Sequence, residues 1–364
     1  MGKREQSQII ENLKKEGIRP YSISRLNAID GCLLEAFYTY RQEDRGKDNV
    51  YGIMGSVIHD SLEQIYNGEA DKGCLLPALK QGLSEAEFIG AKFPKDRKGT
   101  DSIRDGWVAD MTDFCESFEK MDGNFKTEEL IVLKVSDNRY LIGYVDLEKI
   151  IDAEKKEIEV YDFKTSSAFK KEDKLHHGRQ LIVYGMALEA QGWNVKKLAW
   201  IMLKYIKVTY QGYARSNSKR KTEIIKIVQR HKLAKDLKNP VENMLYEAGY
   251  SEIDVEIMME RFAEENSLDV LPNEIKSQFT IEQHIDEWPF TDDLKQEALD
   301  YINSRADRFE ELWDRPESHW TPVEINDKQT FYCTSLCSHR EKCPELRKYQ
   351  LMQSLSRVED EDLF

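Results

Sequence analysis

The stretch Tyr140–Ser166, YLIGYVDLEKIIDAEKKEIEVYDFKTS, constrains this 364-residue chain more than any other. Two runs rich in Leu, Ile, Val and Tyr, Tyr140–Ile151 and Ile158–Thr165, flank DAEKKE, which holds no strand former. That pattern predicts a β-hairpin. Inside it stand Asp146, Asp162 and Lys164, which are poor strand residues and costly to bury unless paired or bound to a cation. Strand side chains alternate faces, so Asp162 and Lys164 point the same way, and an odd-numbered turn puts Asp146 there too. Two carboxylates held together repel unless a cation lies between them, and a hard divalent ion such as Mg²⁺ takes oxygen ligands of this kind. A lysine beside it can orient a water or offset developing negative charge. The alternative is a surface hairpin with a salt bridge, Asp162 to Lys164 or Asp146 to Lys149.

The surrounding pattern is helix, three strands, helix, strand. Residues 1–20 predict a short basic amphipathic helix ending at Gly17. Tyr21–Gln42 predicts a helix with Cys32 inside it. A strong helix starts near Met54, with Val57, Ile58, Leu62 and Ile65 as its apolar stripe and with Gly55 and His59 one turn apart. Further helices are expected at Leu79–Phe93, Ser102–Met121 and Asp292–Trp313. Glu128–Val135 reads as a strand leading into the hairpin, and Lys197–Tyr205 as a buried strand. Between them His177–Gln191 reads as a helix, with Gln180 and Tyr184 one turn apart. Residues 206–290 are expected to form a helical insertion rather than a separate domain. There is no P-loop, so no nucleotide-driven motor is expected. No apolar run is long enough to span a bilayer and the N-terminus lacks a signal-peptide core, which makes cytoplasm the expected compartment.

Taken together, these motifs resemble a known family. Gly55-x-x-x-His59 on a helix, Gly143-Tyr-Val-Asp146 on one strand, Asp162-Phe-Lys164-Thr165 on the next and Gln180-Leu-Ile-Val-Tyr184 on a following helix are similar to the RecB-type branch of the PD-(D/E)XK nucleases. The resemblance runs from about Tyr21 to Tyr205 and resumes at the C-terminal cysteines. It implies an α/β fold, a restriction-endonuclease-like mixed β-sheet core flanked by helices. One nuclease domain would span residues 1–364: the core about 21–205, the insertion about 206–290, a helix and cysteine cluster about 291–346, and an acidic tail, 358–364. It implies that His59, Asp146, Asp162 and the backbone carbonyl of Phe163 bind Mg²⁺ or Mn²⁺. Lys164 would position the attacking water, and Gln180 and Tyr184 would face the scissile phosphate. The implied activity is a metal-dependent deoxyribonuclease, an exonuclease acting on DNA ends or single strands. Recombination, repair, phage DNA processing or CRISPR adaptation would all suit it, with a helicase or an adaptation protein as partner. A catalytically silent DNA-binding scaffold is the alternative. Val145 replaces the proline commonly found before Asp146, and Asp162 the commoner glutamate.

Six cysteines in a chain expected in the cytoplasm argue for metal ligation over disulfides. Cys333, Cys337 and Cys343 are one thiolate short of a closed tetrahedral set, and Cys32 is the obvious fourth. This arrangement resembles the iron–sulfur nucleases of AddB type and of CRISPR adaptation, which implies a [4Fe–4S] cluster acting as a staple between the chain's two ends. Zinc, with His339 as a further ligand, is the alternative. Cys74 and Cys115 read as apolar filler.

The net charge of −14 opposes broad nucleic-acid binding, so any DNA contact needs local basic patches. Between Gly212 and Lys238 stand nine Lys or Arg against Glu223 and Asp236. Lys219, Arg220, Lys221, Lys226, Arg230 and Lys232 are candidates to track a phosphate backbone, unless they merely solvate a helix face. His339, Arg340 and Lys342 are further candidates for contacts beside the cluster, and Tyr210 and Tyr213 for stacking on bases.

Overall fold

The computed structural model describes residues 3–213 and 220–361. The chain opens with α1 (Lys3–Lys15), α2 (Ile23–Gly31) and a short α3 (Leu33–Ala36). Helices α4 (Val50–Asn67), α5 (Leu75–Phe88) and α6 (Ser102–Ser117) follow. Strands β1 (Asn124–Ser136), β2 (Arg139–Asp152) and β3 (Glu157–Lys164) form a meander. Helix α7 (Lys174–Ala190) then crosses over to β4 (Asn194–Gly212), which lies parallel to β3. The α7 crossover is what a parallel connection requires.

Residues 206–290 depart from the expected helical insertion. They do carry α8 (Leu233–Glu247), α9 (Glu252–Glu265) and the single turn α10 (Asn273–Lys276), but also the end of β4, β5 (Thr222–Gln229) and β6 (Phe279–Trp288). Both new strands pair antiparallel with β4, completing a sheet of six strands. The signal was present in β6, where Phe279, Ile281 and Ile285 alternate with polar residues. In β5 it was masked, because Ile225 and Ile227 stand on the exposed face, 57% and 45% accessible, among charged neighbours. The chain closes with α11 (Asp292–Trp313) and α12 (Pro344–Glu361).

Two cores sandwich the sheet. On one face Val145, Val160, Trp200 and Met202 pack against α2, α7 and α11. On the other Leu147, Tyr161, Phe163 and Leu203 pack against α4, α5 and α6. A third core joins the far end of β4 to α8 and α9. Among the described residues no helix is long and apolar enough to cross a membrane.

Candidate active site

Three neighbouring strands bring three carboxylates into one row. The β1–β2 pairing sets Thr127 opposite Leu147 and Glu129 opposite Val145, which leaves Glu128 facing Asp146. The β2–β3 pairing ends at Leu147 opposite Tyr161, so the next positions along are Asp146 and Asp162. Here β2 and β3 part, and their backbone groups need other partners. The Phe163 N–H finds one in Asp146 Oδ2, to which it donates at 2.8 Å. Glu128 itself adopts φ +49, a left-handed backbone that is strained for a residue with a side chain and tends to mark functional positions.

Helix α4 supplies the imidazole. Asn49 caps it by accepting hydrogen bonds from the N–H groups of Tyr51 and Gly52, and Gly68 ends it in the left-handed conformation. Midway along, His59 places Nδ1 3.4 Å from Asp146 Oδ2. Ligand atoms of His59, Glu128 and Asp146 all lie within 4.8 Å of one another. Asp162 is not part of that trio, because its Oδ2 leans toward the Lys164 ammonium, 2.6 Å away. Beyond this ion pair the buried oxygen has no partner among the described residues.

The charges explain one another. Burial, then the negative charge of Asp162, push the Asp146 carboxyl well above its ordinary range, while Lys164 and the Phe163 amide pull it down. Burial opposes the charge on Lys164, but Asp162 and Asp146 outweigh it and hold the ammonium above the ordinary lysine range. Burial lowers His59, against Asp162 and a hydrogen bond with the Phe163 backbone, which keeps the imidazole neutral and able to bind metal. In an extended strand N–H and C=O of one residue project to the same side. The Phe163 carbonyl therefore faces the same gap as its amide.

Helix α7 closes the site. Gln180 donates from Nε2 to the Tyr184 hydroxyl at 2.7 Å and turns Oε1 toward Lys164 Nζ, 3.4 Å away. Burial, with the charges of Asp162 and Asp146, raises the Tyr184 phenol so that it keeps its proton. Gly143 is needed for this packing, since a Cβ there would stand 2.8 Å from the Tyr184 ring. Gly55 is under less pressure: a Cβ there would meet Thr165 at an ordinary 3.8 Å.

Residues 20–344 match the PD-(D/E)XK nuclease superfamily, a span that takes in this whole site. The chain belongs to that superfamily. No curated protein matches it. PD-(D/E)XK proteins are metal-dependent nucleases that use divalent ions such as Mg²⁺ or Mn²⁺ on DNA, and the site suits such an ion. It offers converging oxygens and a neutral imidazole. Sequence reasoning missed Glu128, which it read only as a strand residue.

A pH dependence follows. A carboxyl raised on folding binds more protons in the native state, so the Asp146 contribution to metal-free stability is greatest at acid pH and falls as pH climbs from about 4 through the raised value. A cation must displace that proton. Mg²⁺ affinity, read by titration calorimetry, is expected to rise up to about tenfold per pH unit below the raised value, with proton release. Asp146→Asn should abolish both trends. Affinity that stays flat between about pH 5 and 8 in this nuclease would remove Asp146 from the ligand set.

The four cysteines lie close enough to act on one another electrostatically. Cys32 sits not within a helix but at the break between α2 and α3, where the backbone is extended (φ −157, ψ 115). Cys333 and Cys337 lie in and at the end of a π-helical turn, Tyr332–Leu336, and Cys343 directly precedes α12. Burial, then repulsion from Cys32 and Cys343, push the Cys333 thiol up to about 11. Burial, then Glu35, with weaker repulsion from Cys32 and Cys333, push Cys337 up to about 12. Polar contacts join the same two chain segments: Tyr332 to Glu35, Tyr38 to Glu317, Thr39 to His339 and Lys342 to Asp44.

The basic candidates scatter. Lys219 lies outside the described residues. Arg220 is exposed. Lys221 pairs with Glu247, and Lys226 donates to the Asp236 carbonyl. Arg230 cannot track a phosphate backbone: it is 5% exposed, and its guanidinium is taken up by Leu203 O, Asp113, Ser117 and Gln283. Tyr210 is buried against Phe279, so it offers no face to a base, whereas Tyr213 is exposed. His339 is buried and bonded to Thr39, which removes it from DNA contact. Arg340 donates to the Cys337 carbonyl, and Lys342 is held by Asp44.

Proposed function

We propose that this nuclease is a Mg²⁺-dependent exonuclease of RecB type, acting on DNA ends with a preference for single strands. The observation that carries the reading is the convergence of His59, Asp146, Asp162 and Lys164 where β2 and β3 part. Its RecB-type character is supported by four motifs in order on the expected elements. His59, Asp146, Asp162 and the Phe163 carbonyl would hold the ion, with Glu128 as a further oxygen donor. When bound, the ion would polarise the scissile phosphate and acidify a water. Lys164 stays protonated, so it serves as a hydrogen-bond donor that aims the water and offsets negative charge, not as a base. Tyr184, also protonated, can donate to a phosphate oxygen, and Gln180 fixes both groups.

Cys32, Cys333, Cys337 and Cys343 would hold a [4Fe–4S] cluster. A single zinc ion draws its thiolates to about 3.8 Å apart, given its Zn–S bonds of ~2.3 Å. Among the described residues no three of these sulfurs come within 4.8 Å of one another. That spread suits a cluster, in which each thiolate binds a separate iron. Recombination, repair, phage DNA processing or CRISPR adaptation is the setting this reading favours, with a helicase or adaptation protein as partner.

Linear and circular single strands of one sequence separate the possibilities. With Mg²⁺ or Mn²⁺ the linear strand is expected to shorten from an end while the circle persists. Cutting of the circle would make the protein an endonuclease. Binding of both without cleavage would leave it a DNA-holding scaffold.

A further inference from the structure

A crevice opens beside the catalytic lysine, at a discontinuity in the sheet. On one edge of β4 the neighbour β3 leaves after Lys164 pairs with Met202, and β5 takes its place from Tyr205, opposite Gln229. Residues 203 and 204 fall between the two. Gaps of this kind, where strand ends diverge, are where open sheets bind ligands. The crevice holds about 940 Å³. Its wall carries Lys204, Lys232 and His231 with the hydroxyls of Thr165 and Ser166, and among the described residues no carboxylate lines it, although the chain's net charge is −14.

Lys204 is the unexplained residue. It is 6% exposed, and among the described residues it has no hydrogen bond or ion pair. Asp110, the acid whose charge acts on it, is fully buried and already accepts from Gln229 Nε2 and from both His231 N and Nδ1, each at 2.8 Å. Lys232 donates to the neutral Gln229 amide and adds repulsion. The Lys204 stem is buried while its ammonium reaches the crevice and meets no anion there among the described residues, which is costly for so enclosed a charge. At the rim Phe331 and Tyr332 are 46% and 43% exposed. Cations backed by exposed aromatic faces are the pattern that holds single strands.

We propose that this crevice seats a non-scissile phosphate of the substrate strand, with Lys204 and Lys232 as its cationic ligands and the Phe331–Tyr332 rim against the adjoining base. Thr165 and Ser166 follow Lys164 directly in the chain, so a strand entering here is led past the catalytic lysine. The proposal rests on the nuclease reading and names where that substrate is gripped.

The test uses the full chain and a short oligothymidylate, with Ca²⁺ replacing Mg²⁺ so that binding is read without cleavage. Neutral methylphosphonate linkages are placed one at a time along the strand. Wild type is expected to lose about tenfold in affinity at one linkage beyond the cut. Lys204→Met should bind the unmodified strand about tenfold more weakly and lose its sensitivity at that linkage alone. Lys232→Gln should show the same linkage-specific loss, which carries the test if Lys204→Met folds poorly. Unchanged affinity in both variants, or the wild-type pattern in either folded one, overturns the subsite. If wild type binds the strand but the scan is flat, the subsite falls while the nuclease reading stands. If wild type does not bind the strand with Ca²⁺ and does not cut it when Mg²⁺ is restored, both fall.

Discussion

Lys164→Ala is expected to lower cleavage of end-labelled DNA on the order of 10³-fold in kcat, with DNA affinity largely kept. The ammonium is the one cation beside Asp162 among the described residues, and Gln180 holds it from the other side. Its loss removes the donor that would aim the water, but no group proposed to grip the strand elsewhere. A second readout separates this role from simple unfolding. Without Lys164, Asp146 and Asp162 face each other with no fixed positive charge, so the metal-free variant should melt lower than wild type. Mg²⁺ should restore more of that loss than it adds to wild type, because it supplies the missing charge. Digestion of single- and double-stranded DNA with Mg²⁺ or Mn²⁺, paired with melting curves, checks both. Equal cleavage by wild type and variant would sink the assignment of the site.

Cys32→Ser is expected to bleach the protein and to lower Tm on the order of 10 °C. With a [4Fe–4S] cluster, protein purified without oxygen is brown and absorbs broadly near ~400 nm. Burial and mutual repulsion hold the metal-free thiols protonated and neutral, so a metal must displace their protons, and its binding free energy then adds to folding. Cys32 would be the sole ligand on the N-terminal side, so its loss would sever the proposed staple more fully than loss of any one late cysteine. Cys74→Ser is the control, since Cys74 belongs to the other core and should leave colour unchanged. Colourless protein carrying one zinc would replace the cluster but keep the staple. Protein with no metal bound at these thiols would remove both.

The order of elements was legible because it depends on local pattern. Runs rich in Leu, Ile, Val and Tyr marked β2 and β3, an apolar stripe marked α4, and Asp146, Asp162 and Lys164 were conspicuous as charges inside a hydrophobic hairpin. These signals need no knowledge of what lies across the sheet.

What the sequence could not decide depended on register and on burial. Counting back from the turn, Ser136 opposite Arg139 would set Glu129 against Asp146. A one-residue irregularity between Lys134 and Ser136 shifts the pairing and sets Glu128 there. Cys32 reads as a helical residue until the break after Gly31 turns it toward the other three. Arg230, just past β5, and Lys204, in mid-β4, are both basic, yet one is sealed into a saturated network and the other is left facing a crevice. Sequence determined which groups carry the chemistry, because residue type and local periodicity suffice for that. Only the folded chain decided which of them meet, since strand register and the closure of distant segments are set by packing between residues far apart in sequence.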